Sequence, residues 1–285
     1  MVSYQAKDHL LDLAGPDVSA HSEVSCLQWT HTQLHRAATT VASSLAARGI
    51  HRGATLVTLI PNRVEWLVLQ YAAVICRASF APLDFGALNQ ARAIELQNAT
   101  SRLKPDAIVV SGNQDAMSVN QALAAAKHVP KLRIVLEESI GSSTNNWVSL
   151  LSLTANNNEK AVQETKLLEN ARTLDPDRID LICFTSGTSS GNPKGCPRHE
   201  EGNAASLEAQ ETLFNFDKSS RYLLSSANFR IIAREWPESF APSSPDDQSH
   251  MQVRIQINVL TSLQPSSRCR YCVKEVRLVS RSFGV

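Results

Sequence analysis

One stretch of the sequence decides the fold, Ile179-Asp180-Leu181-Ile182-Cys183-Phe184-Thr185-Ser186-Gly187-Thr188-Ser189-Ser190-Gly191-Asn192-Pro193-Lys194-Gly195. Its first six residues are a hydrophobic run that predicts a strand, and the remainder predicts a loop rich in hydroxyl groups and glycine. Glycines let successive backbone N–H groups turn toward an anion, and hydroxyl groups add further donors. The ammonium group of Lys194 is a compact charge suited to phosphate. The stretch therefore predicts a strand that runs into a phosphate-binding loop.

Before this stretch, segments of helix type and strand type alternate along the chain. Apolar residues at helical spacing predict helices at 31–48, 65–75, 89–103 and 114–127. Short apolar runs bounded by turn residues predict strands at 54–60, 80–83, 107–111 and 132–136. After the loop, we predict a helix at 203–214 and a strand at 222–226. This alternation predicts an α/β fold with a mostly parallel sheet covered by helices on both faces.

Two segments depart from the alternation. Residues 139–160 carry Ser, Thr and three consecutive Asn residues, and they predict a surface excursion. Residues 234–285 contain nine Ser, four Pro and one Gly, and only 253–260 resembles a strand. We therefore predict a domain over residues 1–233 and an irregular, poorly ordered tail over residues 234–285.

The composition excludes several classes of protein. A hydrophobic content of 43% with 19% charged residues indicates a soluble globular chain. The net charge of +1 gives no reason to expect nucleic acid or an anionic membrane as a partner. No apolar stretch approaches the ~20 residues that span a bilayer, and residues 1–13 do not resemble a secretory signal. Six scattered cysteines favour a reducing compartment, so we predict a cytoplasmic location.

Two short motifs offer other interpretations of this loop, and a third motif lies elsewhere in the chain. The P-loop of nucleotide triphosphatases needs Gly-Lys-Ser/Thr, whereas Lys194 here precedes a glycine. The run from Gly187 to Gly191 matches the nucleophile elbow of α/β-hydrolases with Ser189 as nucleophile, but an elbow runs straight into a helix that Pro193 disfavours. Cys269 and Cys272 form a C-x-x-C pair without a second ligand pair nearby, so no metal site is predicted.

The loop resembles a longer signature, Thr-Ser-Gly-Thr-Thr-Gly-x-Pro-Lys-Gly, of the adenylate-forming family. That family includes acyl- and aryl-CoA synthetases, luciferases and the adenylation domains of nonribosomal peptide synthetases. Other segments follow in the order typical of the family, namely 27–34, 46–53, 61–66 and 81–84 before the loop and His199 and Asn203 after it. The resemblance covers residues 22–233 and implies the N-terminal part of a layered αβα large domain.

The resemblance implies a reaction in two steps. A small carboxylic acid attacks the α-phosphate of ATP bound with Mg²⁺, which gives an acyl-adenylate and pyrophosphate, and coenzyme A then accepts the acyl group. It implies that Lys194 is catalytic as the counter-charge to phosphate, and that His199 contributes to the acyl pocket. The residues that it implies for binding the phosphates are Thr185, Ser186, Gly187, Thr188, Ser189, Ser190, Gly191, Lys194 and Gly195.

Two departures from the family pattern bear on activity. Between Gly187 and Pro193 the chain has one residue more than the signature. In addition, none of its four tyrosines begins the Tyr-Gly-x-Thr-Glu segment that the family uses for adenine and Mg²⁺. We therefore predict an acyl- or aryl-CoA ligase of secondary metabolism that is truncated within the large domain and inactive. For a full-length relative, the peroxisome is the alternative to the cytoplasm. The alternatives are a non-catalytic remnant or nucleotide- or partner-binding module, and the hydrolase that uses Ser189.

Overall fold

The structure is a computed structural model, and it describes residues 28–29, 31–61, 63–136, 146–155, 160–173, 175–185, 193–214, 255–261 and 271–278. The chain divides into two compact units. The larger unit comprises residues 38–204 and 228–231, and the smaller unit comprises residues 1–37, 205–227 and 232–285. The division predicted at residue 233 stays a prediction.

The described strands and helices follow the predicted alternation as far as residue 136 and again in the strand before the loop. Two short 3₁₀ helices, Phe85–Leu88 and Gln90–Arg92, precede the third α-helix. The strands are β1 (Gln28–Trp29), β2 (Thr55–Leu59), β3 (Ser79–Pro82), β4 (Ala107–Val110), β5 (Leu132–Val135), β6 (Val148–Ser149), β7 (Ile179–Phe184), β8 (Gly195–His199), β9 (Ile255–Thr261) and β10 (Tyr271–Leu278). The helices are α1 (His31–Ala46), α2 (Val64–Ile75), α3 (Ala93–Leu103), α4 (Asn113–Ala125), α5 (Leu150–Ala155), α6 (Lys160–Ala171) and α7 (Glu200–Phe214).

The larger unit contains a seven-stranded sheet in the order β6-β5-β4-β2-β3-β7-β8. All neighbours are parallel except β7 and β8, which are antiparallel. The prediction of an α/β fold with a mostly parallel sheet is therefore confirmed. Parallel strands that helices cover on both faces need apolar side chains in both directions. The four residues of β4, Ala-Ile-Val-Val, are accordingly all buried.

The core of this unit packs helices α3 and α4 against one face of the sheet. Strand residues such as Val57, Ile108 and Val135 belong to a buried cluster that includes Leu96 of α3 and Val119 of α4. Helix α2 is buried almost all round, which its large apolar residues explain. Trp66 of α2 meets Phe80 of β3 edge-to-face, with the ring centroids 5.4 Å apart.

Gly49 caps the C-terminal end of α1, which ends at Ala46, two residues before the predicted end. Gly49 has a φ of +80°, a conformation that glycine adopts without strain. The N–H of Ile50 donates to the carbonyl of Leu45 at 3.1 Å, and the N–H of Gly49 donates to the carbonyl of Ala46 at 2.9 Å. These bonds satisfy the last carbonyl groups of the helix and turn the chain toward β2.

The prediction of a surface excursion at residues 139–160 is wrong for residues 147–155. Strand β6 pairs with β5, and Trp147, Leu150 and Leu153 are buried. The indole N–H of Trp147 donates to the side-chain oxygen of Asn120 at 3.1 Å. The surrounding Ser, Thr and Asn residues obscured these apolar positions, which recur every three residues. Helix α6 was also not predicted.

The smaller unit contains a three-stranded antiparallel sheet in the order β1-β9-β10. The strand predicted at 253–260 is confirmed as β9, whereas β10 was not predicted. A bulge between Val273 and Glu275 shifts the register of β10 and interrupts the alternation by which strands are identified. The strand predicted at 222–226 and the residue Cys269 lie outside the described residues.

Candidate phosphate-binding site

The candidate phosphate loop, residues 185–195, begins where β7 ends at Phe184. This end of β7 is the carboxyl edge of the parallel strands, where α/β sheets bind ligands. Thr185, Lys194 and Gly195 are described. The other predicted phosphate-binding residues lie outside the described residues, namely Ser186, Gly187, Thr188, Ser189, Ser190 and Gly191.

The chain leaves the loop as a strand. Phe184 lies opposite Gly195, and Ile182 lies opposite Pro197, in the antiparallel pair of β7 and β8. Strand β8 ends the order of the described sheet, which is where a proline without an N–H is tolerated. We did not predict β8, because its five residues include a glycine and a proline. A nucleophile elbow needs a helix at this point, so the hydrolase alternative with Ser189 gains no support.

Two reciprocal hydrogen bonds hold the ends of the loop together. The N–H of Thr185 donates to the carbonyl oxygen of Lys194 at 3.0 Å. The N–H of Lys194 donates to the hydroxyl oxygen of Thr185, also at 3.0 Å. The Thr185 hydroxyl oxygen therefore accepts a bond within the loop. We call these two bonds the Thr185–Lys194 clamp.

Three further features describe residues 193–195, where the chain returns from the loop into β8. The side chain of Lys194 is exposed. Arg102, in the last turn of α3, donates from Nη1 to the carbonyl oxygen of Pro193 at 3.5 Å, so a second cation lies beside the loop. A Cβ atom at Gly195 would lie 3.4 Å from Cζ of Phe184, so β8 passes close to that ring. Arg102 was missed because its position in the sequence, far from the loop, gives no sign of this contact.

Next to β7, the carboxyl end of β3 carries a charged cluster of its own. Asp84 accepts from the N–H of Gly86 at 2.8 Å and pairs with Nη1 of Arg92 at 2.6 Å. Arg92 also pairs with Glu95 at 2.6 Å. The hydrogen bonds of Glu95 and then of Asp84 raise the pKa of Arg92. Because two carboxylates face this guanidinium, the cluster offers no excess positive charge to a phosphate.

The amino end of β7 carries a network of ion pairs, formed by Arg52, Arg77, Asp175, Arg178 and Glu200. Nε of the buried Arg178 lies 3.0 Å from the carboxylate of Glu200. Asp175 pairs with Nε of Arg52 at 2.6 Å and with Arg77 at 3.3 Å. The hydrogen bond and charge of Arg52 lower the pKa of Asp175. This amino-edge network fixes the starts of β2, β3 and β7 to the first turn of α7.

His199 and Asn203 lie near the amino edge, away from the loop. Because β8 is antiparallel to β7, His199 lies opposite Ile179 while Gly195 lies opposite Phe184. Nδ1 of the exposed His199 ring lies 3.2 Å from the carbonyl oxygen of Asp177. Its role in an acyl pocket stays a prediction, which this position does not strengthen.

Asn203 binds the side chain of a strand residue in β7. Its Nδ2 lies 2.7 Å from each carboxylate oxygen of Asp180. Burial raises the pKa of Asp180, which the hydrogen bond from Asn203 opposes. The pair joins the first turn of α7 to β7. Asn203, which follows the loop as in the family pattern, therefore has a structural role in the described part of the chain.

Comparison with known proteins identifies the class of fold. A model of the AMP-binding enzyme family matches residues 15–236. An acyl-CoA ligase from Pestalotiopsis microspora is 29% identical over 234 residues, which cover 81% of this chain and 40% of that protein. A probable CoA ligase from Humulus lupulus is 26% identical over 191 residues, covering 67% of this chain and 33% of that protein. ATP-bound MatB from Rhodopseudomonas palustris is similar in structure, with a TM-score of 0.55 and 18% identity over 71% of this chain and 36% of that one.

The fold is that of the large domain of adenylate-forming enzymes. Because the family model covers more than half of its residues, the chain belongs to the AMP-binding enzyme family. The chain spans 40% and 33% of the lengths of the two ligases that it resembles. Among the described residues, no helix has the length and apolar character needed to cross a bilayer.

Proposed function

We propose that this chain carries the triphosphate-binding loop of an ATP-dependent acyl- or aryl-CoA ligase of secondary metabolism. The observation that carries the proposal is the Thr185–Lys194 clamp at the carboxyl end of β7, which holds the ends of a glycine- and hydroxyl-rich loop together. Membership of the AMP-binding family and the similarity to ligases support it. The substrate is a small carboxylic acid, with Mg²⁺ accompanying ATP and coenzyme A as the acyl acceptor. We propose the cytoplasm as its location.

The loop residues act by charge and position. The clamp fixes the backbone of Lys194. In this proposal its ammonium group, which is exposed, offsets the negative charge of the β- and γ-phosphates. The backbone N–H groups and hydroxyls of residues 186–191 donate to the phosphate oxygens in this proposal. The substrate carboxylate then forms a bond to the α-phosphorus, and pyrophosphate leaves. Positioning and charge neutralisation supply most of the catalysis in phosphoryl chemistry.

A second function concerns the 285-residue polypeptide by itself. Its sequence contains no Tyr-Gly-x-Thr-Glu segment, which the family uses to hold adenine and Mg²⁺. We therefore propose that these residues alone bind nucleotide without completing the adenylation. The loop with one additional residue between Gly187 and Pro193 supplies the triphosphate contacts in this module.

Nucleotide titration and pyrophosphate exchange separate these functions. ATP binding is measured by calorimetry for the unaltered chain, for Lys194→Ala and for the control Lys166→Ala, which removes an exposed lysine of α6. Loss of one charged hydrogen bond predicts that Lys194→Ala raises the Kd about 10- to 100-fold, whereas Lys166→Ala leaves it unchanged. Equal effects of both substitutions would contradict the assignment of the loop.

The exchange of labelled pyrophosphate into ATP is then measured with a panel of carboxylic acids. Exchange that depends on the acid and disappears in Lys194→Ala supports the ligase. Binding without exchange supports the module.

A further inference from the structure

Two cysteines lie directly opposite each other at the base of the candidate phosphate loop. Cys183 of β7 and Cys196 of β8 are partners in the antiparallel register. Opposed residues of an antiparallel pair have Cα atoms about 4.5 or 5.5 Å apart and side chains on the same face of the sheet. A disulfide needs Cα atoms about 4.4–6.8 Å apart. The backbone at this position is therefore compatible with a disulfide without a change of register.

The two thiols differ in access to solvent. Cys183 is buried, whereas Cys196 is partly exposed, with its sulfur 3.9 Å from the carbonyl oxygen of Lys194. Cys76 provides a contrast, because its thiol is buried and donates to the carbonyl oxygen of Ala42 at 3.2 Å. Burial raises the pKa of Cys76 to about 12. An oxidant in solution therefore meets Cys196 before it meets either of the other two thiols.

We propose that Cys183 and Cys196 form a reversible disulfide that closes a covalent ring around the candidate phosphate loop. With glutathione disulfide as oxidant, the Cys196 thiolate attacks one sulfur and releases one glutathione thiolate, which leaves a mixed disulfide on Cys196. The Cys183 thiolate then attacks the Cys196 sulfur and releases the second glutathione. Two protein thiols are oxidised, one glutathione disulfide is reduced, and the two protons pass to the released thiolates.

The covalent ring closed by the disulfide contains the residues of the clamp as well as those of the loop. Residues 184–195 lie between the two cysteines, so the bond would hold β7 and β8 together on the strand side of Thr185 and Lys194. The N–H groups of both residues are hydrogen bonded in the clamp, and their exchange with solvent requires local opening. A covalent link across the pair suppresses that opening by constraining the open state. Any effect of the disulfide on ATP binding rests on the proposed function, whereas formation of the disulfide does not.

The test uses the full chain equilibrated in glutathione buffers from reducing to oxidising, quenched with an alkylating agent and digested without reduction. We expect a peptide with Cys183 linked to Cys196, which reduction separates. The full chain with Cys26, Cys269 and Cys272 replaced by serine should lose two hydrogen atoms in intact mass. Further substitution of Cys183→Ser or Cys196→Ser should abolish that loss, whereas Cys76→Ser should retain it.

Hydrogen exchange supplies the second measurement. We expect the N–H groups of Thr185 and Lys194 to exchange at least about tenfold more slowly in the oxidised chain. Alkylation of both cysteines under oxidising conditions, or linkage of either to another cysteine or another chain, would overturn the proposal. A linked pair in a chain that binds no ATP would overturn the proposed function and leave the disulfide standing.

Discussion

The two ends of β7 are built in opposite ways. At the amino end, the amino-edge network holds five charged side chains in ion pairs, and Arg178 within it is buried. At the carboxyl end, Thr185 and Lys194 are exposed, and the two hydrogen bonds of the clamp hold the ends of the loop. Ion pairing is therefore concentrated at the end opposite the candidate phosphate loop. The other end keeps its polar groups accessible, as a binding loop on a rigid strand requires.

The largest expected effect breaks the amino-edge network. Glu200→Ala leaves the buried guanidinium of Arg178 without its carboxylate partner, which costs about 3 kcal/mol of unfolding free energy. Urea denaturation measures this loss. The neighbouring exposed residue supplies the control, because Glu201→Ala should change stability by less than about 0.5 kcal/mol. Equal losses in the two variants would mean that the network does not anchor β7.

A smaller effect is expected from breaking the clamp. Thr185→Val removes the hydroxyl that accepts from the N–H of Lys194, with a loss of about 1 kcal/mol. Its hydrogen-exchange signature should be local, with faster exchange at Lys194 and no change at the backbone bonds of β4 and β5. Thr185→Ser, which keeps the hydroxyl, should restore slow exchange. Global acceleration in Thr185→Val would show that the two ends of β7 are not independent.

Substitution of Gly86 tests whether the charged cluster at the carboxyl edge tolerates an added Cβ atom. A Cβ atom at Gly86 would lie 2.7 Å from Nη1 of Arg92, so that side chain must move away from Asp84. Because the pair is partly exposed, we expect Gly86→Ala to cost less than about 1 kcal/mol.

Gly202 of α7 has open space at its Cβ position, so Gly202→Ala should stabilise the protein by about 0.5–1 kcal/mol. Thermal unfolding compares the two.

The smallest effect is a dependence of stability on pH. Burial raises the pKa of Asp180 above its value in the unfolded chain, so the folded state binds its proton more tightly. The contribution of Asp180 is therefore favourable below the unfolded pKa, and it is lost as pH rises through the raised folded pKa. Urea titrations at several pH values should show this decline, and Asp180→Asn should remove it. An unchanged profile in Asp180→Asn would assign the decline to other groups.

The sequence predicted the parts of the fold that depend on local pattern. Helix α1 ends at Ala46, and the positive φ of Gly49 allows the turn that satisfies its last carbonyl groups; a glycine at this place is a local signal. Strand β7 was predicted with its observed bounds because its apolar run is flanked by turn residues. In contrast, β6 has two residues and β8 contains Pro197, so neither carries a local signal. Each exists because a neighbouring strand supplies its hydrogen bonds.

The sequence by itself determined the family, the α/β alternation and the residue types of the candidate phosphate loop. These features follow from the spacing of residues along the chain. A glycine after a helix, or apolar residues at helical spacing, indicate the same local structure in any protein. Only the tertiary structure decided that Thr185 accepts from Lys194, that Arg102 reaches Pro193 and that Cys183 lies opposite Cys196. Each of these contacts depends on how β7, β8 and α3 are placed in space. Spacing along the chain does not encode such a placement, because it arises from pairing and packing between distant segments.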